Sequence, residues 1–181
     1  MGEHAISLLS DNQPGASAMP PTFDELFDSY QEMVLKAAYR VTGNRQDAED
    51  VLQTVFLRLM KNQEQVRISG NPGGYLRRSA VNAGIDLLRS RQRNPTETLV
   101  EETLTSDQGA ADSLARQTEL KRQLREAMLS LDQQAAEIFS LRFFEEFSNA
   151  EIAQLLGMTP NSVAVSVHRT RDQLQKIIGE V

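Results

Sequence analysis

The chain has 181 residues, 40% of them hydrophobic and 24% charged, a composition that suits one ordinary domain or two small ones. It contains no cysteine, which excludes disulfides, thiol catalysis and cysteine-ligated zinc, and its two histidines, His4 and His168, are too far apart in sequence to suggest a catalytic or metal-binding pair. No apolar run approaches the ~18 residues of a membrane-spanning helix, the N-terminus lacks a basic-then-apolar leader, and a cytoplasmic protein without cofactor or membrane insertion is expected.

Residues 1–21 are rich in Ser, Pro, Gly, Asn and Gln and predict a flexible tail. Order is expected from Thr22, which forms a capping box with Glu25. Phe23, Leu26, Phe27, Tyr30, Val34 and Val41 follow at helical spacing until Gly43 ends the helix. Asn44 caps a second helix with the apolar stripe Ala48, Val51, Leu52, Val55, Phe56 and Leu59. Ser69, Gly70, Asn71, Gly73 and Gly74 are loop chemistry. A third helix is expected from Pro72 or Gly74 to about Arg93, with Leu76, Ala80, Ala83 and Leu87 on its apolar face and Pro95 beyond its end.

Charge changes sign along this stretch. Between Arg67 and Arg93 six arginines stand against one acid; between Asn94 and Glu119 six acids stand against one arginine. Residues 94–111 show no period and read as an acidic linker. A helix is expected from about Asp112 through Leu131, another capped by Asp132, and two more over 149–156 and 160–178. No segment alternates in the manner of a strand. The expected fold class is therefore all-α, with two small helical domains, 22–93 and 112–181, on either side of the linker.

The last two helices carry the sharpest local signal. Ser148 and Glu151 form a second capping box, Gly157 supplies a left-handed end, Thr159 caps the next helix, and Pro160 occupies its first position. A short helix, a three-residue turn and a longer helix make a helix-turn-helix, whose second helix would enter a DNA major groove by its N-terminal end. The same pattern also fits an ordinary well-capped helical hairpin.

Three segments in order resemble the extracytoplasmic-function class of bacterial sigma factors, over about residues 23–178. Asp47-Ala48-Glu49-Asp50-Val51-Leu52-Gln53-Thr54-Val55-Phe56-Leu57-Arg58 is similar to the helix that docks on the β′ clamp helices of core RNA polymerase, with Asp47, Asp50, Gln53 and Phe56 implied as contacts. The segment from Asn71 to Asp86 resembles the helix that holds the promoter −10 element. This resemblance and the basic charge together mark Tyr75, Arg77, Arg78, Asn82, Arg89, Arg91 and Arg93 for −10 DNA. The 148–171 segment resembles the helix-turn-helix that reads the −35 element and binds the β flap, which marks Thr159, Asn161, Ser162, Ser166, Arg169 and Arg171.

The sequence departs from the family pattern in three places. Tyr75 stands where Trp is usual, and Met60 where the family often has another. Ala164 and Ser166 replace the Lys and Arg of the recognition helix, so Arg169 and Arg171 are expected to carry most of its phosphate grip. The resemblance implies core polymerase, promoter DNA and an anti-sigma factor as partners, and a non-enzymatic role in directing transcription initiation. The competing reading is a stand-alone helix-turn-helix regulator; the 47–58 segment, for which such a regulator has no use, separates the two.

Overall fold

A computed structural model describes residues 21–61, 71–93 and 108–179, with 108–115 and 117 described as backbone. The expected tail up to residue 20, the loop over 62–70 and the linker over 94–107 lie outside the described residues. Among the described residues the fold is all-α: α1 Phe23–Thr42, α2 Arg45–Lys61, α3 Pro72–Arg93, α4 Gln108–Leu129, α5 Gln133–Phe143, α6 Asn149–Leu156 and α7 Pro160–Gly179.

The capping chemistry sets most of these limits. Thr22 accepts from the Glu25 N–H at 3.3 Å while the Glu25 carboxylate accepts from the Thr22 N–H at 2.8 Å. Gly43, at φ +83°, ends α1 in the left-handed region. Asn44 Oδ1 accepts from the Asp47 N–H at 2.8 Å, and Asn71 Oδ1 from the Gly74 N–H at 2.8 Å, so an Asn starts both α2 and α3. Asp132 caps α5, Ser148 and Glu151 reproduce the capping box at α6, and Gly157 ends α6 at φ +66°. Helix α4 begins at Gln108, four residues before the expected Asp112; Ala110 and Ala111, strong helix formers, extend it into the segment read as linker.

Helices α1, α2 and α3 pack on one another. Their core holds Leu26, Val34, Ala37, Ala38, Val51, Val55, Phe56, Leu59, Leu76 and Ala80, with Phe56 against Phe23 and Phe27 edge-on. Helices α4 to α7 enclose a second core around Met128, Leu131, Ile138, Leu141, Ile152, Val163 and Leu174. The second core does not stop at the domain boundary. Val41 of α1 and Val81 and Ile85 of α3 are fully buried members of it, and Leu88 packs against it. Helix α3 is thus apolar on two sides, one for each half of the molecule.

Gly84 explains how closely α1 and α3 approach. A Cβ there would meet Val41 Cγ1 at 3.0 Å, tighter than ordinary contact. Gly84→Val is expected to destabilise the chain by about 1–3 kcal/mol through overpacking, read as a lower midpoint in chemical denaturation. An unchanged midpoint would show that α1 and α3 separate at no cost.

Candidate nucleic-acid interface

The residues expected at promoter DNA fall into two groups, one on α3 and one on α7. On α3 the cations are not presented to solvent as a row. Arg78 Nε donates to Glu137 Oε1 at 2.6 Å, and its Nη1 to the Leu155 carbonyl at 3.3 Å. Asn82 Nδ2 donates to the same Glu137 oxygen at 2.7 Å. Arg89 donates to the Leu131 carbonyl at 2.7 Å and also to Gln133. Arg77 lies over the Phe147 ring, 5.5 Å from its centroid, with its Nε 4.0 Å from Glu145. All these partners belong to the C-terminal half, so Arg77, Arg78, Asn82 and Arg89 form the polar rim of the interface whose apolar centre is Val41, Val81 and Ile85.

Arg91 turns the other way and pairs with Asp47 of α2. Arg93 and Tyr75 are exposed, Tyr75 in the first turn of α3 beside its Asn71 cap.

Glu145 is the second acid at this rim. Its side chain is fully buried, and it accepts from Arg40 Nη1 of α1 at 3.1 and 3.0 Å. The turn after α5 aims it there. Phe147 N–H reaches back to the Leu141 carbonyl at 3.0 Å, and Glu146 adopts φ +59°. A left-handed non-glycine residue costs roughly 1–2 kcal/mol, so packing must hold this turn. Burial pushes the Glu145 carboxyl above its usual range, although Arg40 and Arg77 pull it down.

On α2 the four expected polymerase contacts divide. Asp47 is buried, bonded by Asn44 and Arg91, and Phe56 belongs to the core; neither offers a docking surface in this arrangement. Asp50 and Gln53 are exposed. Leu57 and Met60, each half-exposed, share their face and were not picked out by the sequence reading. Helical geometry carries the signal. Residues three apart drift by about 60° per step, so Asp47 and Phe56 fall on opposite sides, whereas positions 50, 53, 57 and 60 stay together.

On α7 the face turned from the core holds Asn161, Ser162, Val165, Ser166 and Arg169, of which Ser166 is half-buried and the others exposed. Thr159 caps the helix, accepting from the Ser162 N–H at 3.1 Å, and its hydroxyl hydrogen-bonds that of Ser162 at 2.8 Å. Arg171 lies elsewhere. Two residues along a helix turn a side chain by about 200°, and Arg171 lines a small apolar hollow of about 360 Å³ with Leu124, Phe139, Phe143, Leu174 and Gln175. Arg169 is therefore the arginine of the pair that shares the exposed face with Asn161 and Ser162.

Residues 26–94 match sigma-70 region 2, and residues 121–174 match sigma-70 region 4. The chain is 29% identical over 168 residues to the ECF RNA polymerase sigma factor SigE of Mycolicibacterium smegmatis, covering 92% of this chain and 65% of that one. It is 28% identical over 168 residues to the ECF RNA polymerase sigma factor SigW of Bacillus subtilis, covering 88% and 90%. Among solved structures it resembles the sigma factor RpoE from Bartonella quintana, in complex with the anti-sigma factor NepR. The TM-score is 0.52 at 16% identity over 87% of this chain and 96% of that one, a likeness of fold.

Removing one partner of a buried pair leaves an uncompensated charge, whereas neutralising the buried charge does not. Arg40→Ala is therefore expected to lower stability by about 2 kcal/mol, and Glu145→Gln to leave it unchanged or raised at neutral pH. Because the Glu145 carboxyl is raised in the folded state, its stabilising contribution is present at acid pH and lost as pH rises through the raised value. Chemical denaturation between pH 5 and 8 checks both points. A profile steeper in Glu145→Gln than in the wild type would contradict them.

Proposed function

The chain belongs to the sigma-70 family, in its extracytoplasmic-function class, and from that membership we propose that it binds core RNA polymerase and directs initiation at promoters with matching −10 and −35 elements. The observation that carries this reading is the presence of regions 2 and 4, in that order, on one chain. The N-terminal unit, 22–93, takes the polymerase clamp and the −10 element, and the C-terminal unit, 112–181, the −35 element and the β flap. The chain supplies recognition, and the polymerase supplies the chemistry. Two small domains that each hold one element gain affinity from the second contact by effective concentration.

The polymerase face is the outer side of α2, with Asp50 and Gln53 as polar contacts and Leu57 and Met60 as the apolar ones. Exposed apolar side chains beside polar ones are the usual composition of a protein-binding patch. The −10 surface is α3 with Tyr75, Arg77, Arg78, Asn82, Arg89 and Arg93; Arg91 serves it indirectly by bracing α2 through Asp47. The −35 surface is the N-terminal half of α7, with Thr159, Asn161, Ser162, Ser166 and Arg169. Arg171, on the other side of α7, is assigned to the hollow instead. No helix among the described residues is long and apolar enough to cross a membrane, and the cytoplasm, where core polymerase is found, is the proposed location. An anti-sigma factor is a proposed partner, as in the complex of the RpoE relative.

Run-off transcription with core polymerase and genomic promoter fragments tests the role. Asp50→Ala with Gln53→Ala is expected to reduce transcripts at least tenfold, with the helical content unchanged. DNA binding without any polymerase-dependent transcript would instead favour a stand-alone regulator. On the −35 side, Arg169→Ala is expected to reduce the salt slope of promoter binding by about 1, the effect of one phosphate contact. Arg171→Ala is expected to leave that slope unchanged, and equal losses for both would contradict the division of the two faces.

A further inference from the structure

Val165 is the one exposed large apolar side chain of α7, with 41% of its surface open. Val163, Val167 and Leu174 of the same helix turn inward to the C-terminal core. A single exposed apolar residue is commonplace on a protein surface; the position of this one is not. Asn161 stands one helical turn before it and Arg169 one turn after, each about 6 Å away along the axis, and both are exposed. Beyond Arg169 the same face becomes anionic: Asp172 is exposed there, its carboxylate 3.1 Å from His168 Nδ1. DNA phosphates repel a carboxylate and attract a guanidinium. The DNA-facing part of α7 is therefore its N-terminal half, and Val165 lies at the middle of it.

Valine is β-branched and held to one preferred rotamer in a helix, so its two methyl groups project in a fixed direction. Neither can donate or accept a hydrogen bond. The base pairs present one apolar group in the major groove, the 5-methyl of thymine. Ala164 and Ser166, on either side of Val165, carry no charge.

We infer that Val165 is a specificity-determining residue of the −35 surface and recognises a thymine by contact with its 5-methyl group. The inference rests on the reading of α7 as that surface. It divides the work of the exposed face: Arg169 holds a phosphate, which carries no sequence information, and Val165 tells a methylated pyrimidine from any other base edge.

The test uses holoenzyme reconstituted from core polymerase and the full-length chain. An end-labelled promoter fragment that gives protein-dependent run-off transcripts is titrated and followed by anisotropy. Thymidines of the −35 element, on either strand, are replaced one at a time by deoxyuridine. This removes the methyl group and leaves the hydrogen-bonding edges of the base unchanged. One replacement is expected to weaken wild-type binding about three- to fourfold, the effect of one methyl group losing an apolar contact. In Val165→Ser the same replacement is expected to change nothing, because the side chain no longer offers a methyl group to the groove. Val165 lies outside the core, so the substitution leaves the packing of α7 in place.

Wild-type binding that is indifferent to every deoxyuridine overturns the proposal. Equal sensitivity in Val165→Ser does so too, as does loss of all binding in that variant, which would give the residue a role on every sequence. Transcripts that persist when the −35 base pairs themselves are exchanged would instead remove the reading of α7 as the −35 surface, so the two failures are distinguishable.

Discussion

An arginine needs an anion when its surroundings are buried, and the packing of the two halves of this molecule turns on such pairs, Arg78 with Glu137 and Arg40 with Glu145. Helix α3 carries an apolar face toward α1 and α2, a second apolar strip of Val81 and Ile85 toward the C-terminal core, and its arginines along the margin of that strip. Whatever covers the strip also meets the arginines. The cover is α5 with its flanking turns, and Glu137 and Glu145 supply the anions that burial of the margin requires.

The interface combines specificity and modest strength. Buried ion pairs contribute little net stability against the cost of removing both charges from water, but they penalise any register that leaves one charge unmatched. Arg40, Arg77, Arg78 and Asn82 on one side and Glu137 and Glu145 on the other set a single docking register, with the apolar contacts supplying the attraction. An interface between domains of this kind opens more readily than a domain core unless it is large and hydrophobic.

Much of the fold was legible in the sequence because its helix limits are written in local chemistry. The Thr22–Glu25 and Ser148–Glu151 boxes, Gly43 and Gly157 act within four residues of themselves, and α1 and α6 start and stop where those signals stand. The helix-turn-helix was readable for the same reason. The early start of α4 was not, since acidic neighbours masked the helical preference of Ala110 and Ala111. The candidate site was legible by type but not by partner. Nothing local in Arg78 or Asn82 indicates Glu137, more than fifty residues on, and a basic block beside an acidic one reads the same whether the arginines face solvent or an acid of the other domain. Asp47 and Phe56 could have been separated from Asp50 and Gln53 by tracing the helical wheel; motif matching alone placed all four together.

The distance between the two halves tests the central claim most directly. The chain has no native cysteine, so spin labels at Asp28→Cys and Gln154→Cys, both exposed positions, report on one pair of sites. Docking of α5 on α3 through these pairs predicts one narrow distance distribution in the wild-type chain and a broad one in Glu137→Lys, which sets a cation against Arg78. A broad distribution in the wild type, or the same narrow one in Glu137→Lys, would contradict it.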